Sequence, residues 1–231
     1  MQLPRCPTPL FLGLFIALSV VIPCTSSYAE TPSKMIHAIV QMSGTDISTD
    51  SFFAKPKIFW RASNQYCRVD EEPDPKNGIH GRLIMNEPDA WLINSADNTA
   101  KHVLDRGPTF NCKLPIFAMD EQMATSKIGE LEIGRELDFF HANGAKLIEC
   151  PKLQFEANCY ELGIADSVLR LVERVEIHAP ILIGLAQGGL AQGGLAQGGK
   201  LYQARYLLWE EAPFKADLFA QPTGVKIEES K

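Results

Sequence analysis

Downstream of residue 30, short apolar runs alternate with turn-forming residues along most of the chain. Runs rich in β-branched and aromatic residues, bounded by Gly, Pro, Asn and Asp, are typical of strands. The first predicted strands are Met35–Met42, Lys57–Arg61, Gln65–Asp70, Arg82–Asn86, Ala90–Asn94 and Lys101–Leu104. The later ones are Ala145–Cys150, Gln154–Leu162, Val168–His178 and Lys200–Glu210, of which Val168–His178 also fits a helical face. Because helices do not alternate with these runs, the pattern predicts an antiparallel sheet.

One stretch between the two groups of strands has a helical pattern. Turn signals are sparse from Met119 to His141, and Ile128, Leu131, Arg135 and Asp138 follow helical steps there. Asn143-Gly144 supplies a stop, since glycine readily adopts the left-handed conformation that ends many helices. The sequence therefore predicts one helix in an otherwise β-rich chain.

The first 29 residues have the order of an export signal. Arg5 precedes an unbroken apolar run from Leu10 to Ile22, and Ser27-Tyr28-Ala29 offers small residues at a cleavage site. A helix of that apolar run rises about 20 Å, less than the hydrocarbon core of a bilayer. We expect a signal peptide over 1–29, a single domain over 30–231, no membrane span in the mature chain, and a periplasmic or secreted location.

The charge balance is acidic, with 22 Lys and Arg against 28 Asp and Glu. Cleavage after Ala29 removes one arginine and no acid, which takes the formal charge from −6 to −7. A nucleic-acid binder needs a basic stripe, so this balance argues against nucleic acid as a partner.

Four cysteines remain after cleavage: Cys67, Cys112, Cys150 and Cys159. An even number of cysteines in an exported chain is typical of disulfides, and four of them allow three pairings. The short segment between Cys150 and Cys159 suits the closure of one loop, so we predict the pairs 150–159 and 67–112. Free buried thiols are the alternative. A zinc site is disfavoured, because neither CxxC nor paired-His spacing is present.

Residues 185–199 are three perfect copies of Leu-Ala-Gln-Gly-Gly. The unit is far too short for a solenoid repeat, and its glycines carry a high entropic cost of ordering. We expect a flexible hairpin loop between the strands on either side. Its three leucines leave open a role as a lid or a partner-binding segment.

Motifs of reaction chemistry were sought along the whole chain. GxSxG, HExxH, P-loop and GxGxxG patterns are absent, and the five histidines are scattered singly. The acidic run at Glu71, Glu72 and Asp74 lacks the ligand spacing of a calcium loop, and a solvated turn explains it better. The expectation is a protein that is not an enzyme and holds no metal or cofactor.

Several predicted strands are apolar on both faces. A sheet with one solvated face alternates cleanly, so two-sided strands indicate that both faces are covered by a helix, a second sheet or an apolar ligand. In Lys200–Glu210 the alternation predicts Tyr202, Ala204, Tyr206 and Leu208 on one face, with Leu207 and Trp209 on the other. The residues predicted to line a ligand cavity, chosen by strand position, are Trp60, Trp91, Ile93, Tyr206 and Leu208.

Four segments of the chain carry a family resemblance: Lys57–Arg61, Tyr66–Asp70, Ile84–Asn94 and Asp217–Lys226. They resemble the periplasmic lipoprotein-carrier superfamily, the LolA/LolB-like half-barrels and their outer-membrane lipoprotein-sorting relatives. The resemblance implies a mainly β fold with one helix, in which a curved antiparallel sheet forms an incomplete β-barrel with a helical lid. It also implies binding of acyl chains without a reaction.

The predicted function is therefore non-catalytic binding of a lipid, a lipoprotein acyl chain or another apolar ligand in a hydrophobic cavity. The alternative is a cell-envelope interaction or sensor module that docks a protein partner through its sheet edge or its repeat loop. A hydrolase would need a convergent cluster of Ser, His and an acid, or a metal site, brought together by the fold.

Overall fold

A computed structural model describes residues 31–103, 112–114, 127–188, 190–191, 194–195 and 199–229. The expected signal peptide lies outside these ranges, and the expected domain boundaries stay a prediction. Leu104 of one predicted strand and residues 119–126 of the predicted helix also lie outside them.

Strands dominate the described residues. In chain order they are β1 (Lys34–Gly44), β2 (Lys57–Ala62), β3 (Tyr66–Glu71), β4 (Gly81–Asn86), β5 (Asp89–Asn94), β6 (Thr99–Val103), β7 (Lys146–Ile148), β8 (Ala157–Ile164), β9 (Ser167–Arg174), β10 (Ala179–Gln187), β11 (Leu190–Ala191), β12 (Gly194–Leu195), β13 (Lys200–Pro213) and β14 (Lys226–Glu229). Helix α1 covers Glu136–Ala142, and short 3₁₀ turns lie at Phe52–Ala54, Lys127–Glu130, Val175–Ile177 and Ala216–Phe219. No helix within the described ranges is long and apolar enough to cross a bilayer.

Twelve of these strands form one sheet in the order β14-β6-β5-β4-β3-β2-β1-β13-β10-β9-β8-β7. Its two end strands, β14 and β7, do not pair with each other, so the curved sheet stays open and does not close into a barrel. The prediction of a mainly β fold with one helix and an incomplete barrel is confirmed. One detail differs from the expected antiparallel sheet, because β14 pairs in parallel with β6.

The inner face of the sheet carries the main core. We define this face by Ala38, Val40, Phe59, Leu171 and Ile183, which are all fully buried. They come from four different strands and belong to one contiguous apolar cluster that also contains residues of α1. At about 25 cal/mol per Å² of apolar surface removed from water, this cluster is the main source of stability.

Residues 112–114 and 127–142 cross the inner face. Cys112 is bonded to Cys67 on β3, and the ring of His141 at the other end lies against Tyr160 on β8. Between these two ends, Phe140 is completely buried in the main core. The segment therefore covers the concave side of the sheet as a lid.

The helix predicted over Met119–His141 is wrong for part of its length. The described part is helical only at Glu136–Ala142, after a 3₁₀ turn at Lys127–Glu130. Between them the chain pairs with residues 112–114: Ile133 N donates to Cys112 O at 2.8 Å, and Lys113 forms a bridge with Glu132. Gly134 adopts φ +77°, which an α-helix cannot contain. The predicted stop is correct, since α1 ends at Ala142 and Gly144 has φ +72°.

Two buried side-chain contacts fix the crossing segment to the sheet. Arg61 on β2 donates to the Ile133 carbonyl at 2.8 Å and to the Glu132 carboxylate at 2.5 Å. Tyr206 on β13 donates to the Glu136 carboxyl at 2.5 Å. Burial raises the pKa of the Glu136 carboxyl above its usual value, although the hydrogen bond from Tyr206 works in the opposite direction.

Both predicted disulfides are present. Cys67–Cys112 joins β3 to the crossing segment, with a Cα–Cα distance of 5.7 Å. Cys150–Cys159 joins β8 to the loop that follows β7, with a Cα–Cα distance of 5.3 Å. Each bridge closes a loop, which restricts the unfolded chain and stabilises the fold.

The expected hairpin loop over residues 185–199 begins later than predicted. Leu185 is fully buried on the inner face, and Leu185, Ala186 and Gln187 pair with Tyr202, Leu201 and Lys200. The first three residues of the first copy are therefore part of β10. Within the two later copies, Leu190–Ala191 pairs with Gly194–Leu195 as a separate small ladder.

The pairing of Gln187 with Lys200 predicts that two of the three repeat copies are dispensable for folding. Deletion of 190–199 leaves Gly188-Gly189 between these paired residues, and a two-residue Gly-Gly loop suits a hairpin. We expect the free energy of unfolding, measured by urea denaturation, to stay the same or rise by about 1 kcal/mol.

Deletion of all three copies is the control, because it also removes buried Leu185 and its strand pairs. We expect that variant to lose about 3 kcal/mol. An equal loss in both variants would contradict the assignment.

Glu136 gives the fold a pH dependence of known sign. The pKa of Glu136 is raised in the folded state. Its contribution to the free energy of unfolding is therefore full below the unfolded-state pKa and is lost as the pH rises through the folded-state pKa. Glu136→Gln keeps a neutral acceptor for Tyr206 and removes this loss. As the pH rises from below the unfolded-state pKa to above the folded-state pKa, the variant gains stability relative to the wild type. The gain is about 1.4 kcal/mol for each unit by which the folded-state pKa is raised.

The measurement is urea denaturation from pH 5 to pH 8. Asp138→Asn, at an exposed position of the same helix, is the control and is expected to follow the wild-type slope. Parallel curves for wild type and Glu136→Gln would contradict the account.

Candidate ligand-binding site

The face opposite the main core, called the outer face here, is apolar along much of the sheet. Trp60, Trp91, Ile93 and Leu208 lie on it, because directly paired residues share a face: Trp91 pairs with Ile84, and Leu208 with Ile39. Two-sided apolar strands are thus a property of the structure. The two halves of the outer face differ in what covers them.

The C-terminal tail, residues 214–229, covers the outer face over β2 to β6. Val225 and Ile227 pack on a cluster that contains Ile84, Trp91, Ile93 and Ala100. Trp91 and Ile93 are each 5% exposed. The protein's own C-terminal tail therefore covers these two predicted cavity residues.

Trp60 also lies near the tail, at the next part of the outer face. Trp60 packs against a second cluster built around fully buried Phe219. Its ring also stacks on the ring of His37, with 3.6 Å between the ring centroids. Arg68 donates to the Leu218 carbonyl at 3.3 Å, which ties the tail to β3.

Tyr206 and Leu208 do not share a face, contrary to the predicted alternation. The β1–β13 ladder shifts by one residue, so that Leu208 pairs with Ile39 and Tyr206 with Val40. A bulge at Leu207 therefore turns Leu208 outward and leaves Tyr206 buried on the inner face beside Glu136. The structure brings four of the five predicted residues to the outer face and separates Tyr206 from them.

The other half of the outer face, over β7, β8, β9, β10 and β13, carries an open groove of about 580 Å³. This volume lies in the usual range for small-molecule sites. Most of the outward residues that line it are aliphatic: Ile148, Pro151, Val168, Val172, Leu182, Ala186 and Leu201. Cys159, Gly184, Glu149, Arg170 and Gln203 complete the outward lining, and the inner-face residues Tyr160 and Leu171 also border the groove. None of the five sequence-predicted residues lines this groove.

Small residues on β10 make the groove deep. Gly184 and Ala186 face outward, while their neighbours Ile183 and Leu185 face the main core. A Cβ added to Gly184 would meet no heavy atom within 4 Å. The space above Gly184 is thus open because the strand lacks a side chain there.

The Cys150–Cys159 disulfide holds the edge of the groove. The groove lining includes Cys159 itself and, on either side of Cys150 in the sequence, Ile148 and Pro151. The bridge fixes the end of β7 and the following loop against β8. A rigid edge of this kind lowers the ordering cost when a ligand binds.

The best-organised polar cluster is centred on Glu173, which does not line the groove. This buried carboxylate accepts hydrogen bonds from Asn158 and Tyr160, both at 3.1 Å, and contacts His178 Nδ1 at 3.2 Å. Burial opposes its charge, but these hydrogen bonds outweigh burial and lower the pKa of Glu173. None of the three partners is a serine or cysteine nucleophile. In the described part of the chain, no three His, Cys, Asp or Glu side chains converge as a metal site.

The sequence of β10 contains a pattern of large and small residues that matches the groove. Leu182-Ile183-Gly184-Leu185-Ala186 alternates large inward residues with smaller outward ones at two successive outward positions. Such spacing marks a depression only when the strand is known to lie inside the sheet with its outward side uncovered. The sequence alone does not establish that arrangement.

The covered residues Trp91 and Ile93 can be tested as ligand contacts by shortening the tail. Ending the chain at Gly224 removes Val225 and Ile227 and uncovers both side chains. If these residues contact ligand, a fluorescent fatty-acyl probe will bind with a higher stoichiometry than to the full chain. A folded variant with unchanged stoichiometry would remove Trp91 and Ile93 from the candidate contacts.

Comparison with known proteins finds no matching family model and no matching curated protein. Among solved structures, an uncharacterized conserved protein from Thermus thermophilus has 11% identity and a TM-score of 0.47, over 86% of this chain and 91% of that chain. A putative outer membrane lipoprotein-sorting protein domain from Vibrio parahaemolyticus has 11% identity and a TM-score of 0.35, over 80% and 89% of the two chains. A LolA superfamily protein from Nitrosomonas europaea has 10% identity and a TM-score of 0.33, over 82% and 90%.

Two of these three descriptions belong to the superfamily that the sequence resembles. The chain is thus similar to them as a divergent structure of low identity. All three TM-scores lie below 0.5.

Proposed function

We propose that this protein is an exported, non-catalytic binder of a lipid or another acyl-chain ligand, and that the chain of the ligand lies in the outer-face groove. The single observation that carries the proposal is an open, mainly aliphatic groove of about 580 Å³ on the outer face of the sheet. Export is supported by the N-terminal signal pattern and by the two disulfides, which persist in oxidising compartments.

Burial of the chain supplies the affinity. About ten methylenes at roughly 0.8 kcal/mol each give about 8 kcal/mol before the cost of association. The groove offers aliphatic partners such as Val172 and Leu182, which need no hydrogen bonds from the ligand. A binder of this kind needs no reacting group. The hydrogen bonds of Glu173 join it to Asn158, Tyr160 and His178, and these contacts hold the β8–β9 pair together.

The four outward residues of the sequence prediction stay candidate contacts for a larger ligand. Leu208 lies on the same strand as the groove-lining Leu201 and Gln203 and faces outward with them. Trp91 is 5% exposed beneath the tail, whereas Trp60 is half-buried and Ile93 lines a separate open cavity of about 390 Å³.

A second candidate function is capture of a protein partner in the cell envelope through the repeat segment. One observation favours it: the hairpin of β10 and β13 is already complete at Gln187 and Lys200, so the fold does not require the two later repeat copies. The variant without residues 190–199 separates the two functions. Lost partner capture with retained acyl binding supports the interaction module.

Gly184→Leu tests the proposed function directly. The added Cβ has no neighbour within 4 Å, and the rest of the leucine side chain extends into the groove that Gly184 lines. We expect the affinity for a fluorescent fatty-acyl probe, measured by fluorescence titration, to fall about tenfold or more.

Gly163→Leu is the matched control. Gly163 also faces outward, on β8, has open space around its Cβ and does not line the groove. We expect wild-type affinity from this variant. Equal affinity of Gly184→Leu and wild type, with both folded, would overturn the proposal.

A further inference from the structure

A second, smaller cavity adjoins the groove on the outer face. It has a volume of about 230 Å³, and its lining includes Gln41, Ser43, Thr49 and Arg205. Met42, Ile47 and Ala54 complete the lining. The cavity therefore lies between strands β1 and β13 and the loop that follows β1.

Strand β13 joins the two cavities. Leu201, Gln203 and Arg205 alternate with inward residues and point to the outer face. Leu201 and Gln203 line the groove, and Arg205 lines the smaller cavity. Successive outward side chains of a strand lie about 7 Å apart, so the aliphatic groove gives way to a polar cavity within one side-chain step.

Arg205 brings a positive charge that its surroundings leave unmatched. In the described part of the chain it has neither an ion pair nor a side-chain hydrogen bond, and it is exposed. Two other cations are already paired: Lys200, on the same strand, with Asp46 at 3.1 Å, and Arg170, in the groove lining, with Glu161 at 2.8 Å.

The opposite end of the groove has the opposite charge. Glu149, an exposed residue at the β7 edge, lines the groove there. An anionic headgroup is repelled from Glu149 and attracted to Arg205, which fixes the direction of a bound chain.

We infer that the ligand is a single-chain amphiphile with an anionic headgroup, whose alkyl chain lies in the groove and whose headgroup is bound at Arg205 beside Gln203 and Ser43. This inference rests on the proposed function and adds the headgroup chemistry and the direction of binding. A carboxylate and a phosphate share the required chemistry, since each accepts paired hydrogen bonds from a guanidinium.

The test compares probes that share a dodecyl chain and differ in the headgroup: dodecanoate, dodecyl phosphate, dodecanol and dodecyltrimethylammonium. Binding to the full mature chain is measured by isothermal titration calorimetry below the micelle concentration of each probe. We expect the two anions to bind about tenfold more tightly than dodecanol, and the cation to bind most weakly. The ratio of the two anions tells a fatty acid from a phosphate-headed lipid as the better match.

Arg205→Gln is expected to abolish the preference for anions and to leave dodecanol affinity unchanged. Lys200→Gln removes the same charge from the same strand, outside both cavities, and is expected to keep the wild-type preference. Chain binding in which Arg205→Gln and wild type show the same anion preference would overturn the headgroup assignment alone. No dodecyl probe binding to the wild type, or binding that Gly184→Leu does not weaken, would overturn the groove itself.

Discussion

Several strands of this sheet carry apolar side chains on both faces, and covering those side chains stabilises the fold. The inner face is covered by the segment that crosses it, which is bonded to β3 through Cys112 and held to β2 by Arg61. The outer face is covered over β2 to β6 by the C-terminal tail. Over β7 to β10 and β13, an aliphatic groove remains open. The proposed function follows from this unequal cover.

Polar groups in the structure serve mainly to hold these covers in place. Tyr206 and Glu136 join the crossing segment to the centre of the sheet, while Arg68 holds the tail at Leu218. Glu173 collects Asn158, Tyr160 and His178 at one end of the β8–β9 pair. These contacts satisfy buried donors and acceptors, as a stable fold requires. Arg205 differs from them, because it faces a cavity with its charge unmatched.

Local pattern was enough to predict most strands, a β-rich antiparallel sheet and both disulfides, whereas the incomplete barrel was predicted from the family resemblance. Strand positions follow from runs bounded by turn residues, and the short Cys150–Cys159 spacing follows from loop closure. The predicted helix failed where tertiary pairing decided: Ile133 and Glu132 pair with residues 112–114, which no local periodicity reveals.

The candidate site was less accessible to sequence reasoning. One bulge at Leu207 reversed the face of every later residue on β13, so Tyr206 and Leu208 were wrongly placed together. Trp91 and Ile93 have the two-sided pattern of a ligand wall, but a segment more than 100 residues away in the chain packs on them. The groove is open at Gly184 because glycine has no side chain. A glycine in the sequence indicates a cavity only when the surrounding fold is known.

The most direct measurement of the central claim is a methyl and amide NMR titration of the mature chain with dodecanoate. The account predicts that shift changes centre on Val172, Leu182, Gly184 and Ala186, the residues of the groove. Changes centred instead on inner-face residues such as Phe59, Phe140 and Ile183 would contradict it, because the ligand would then lie within the main core.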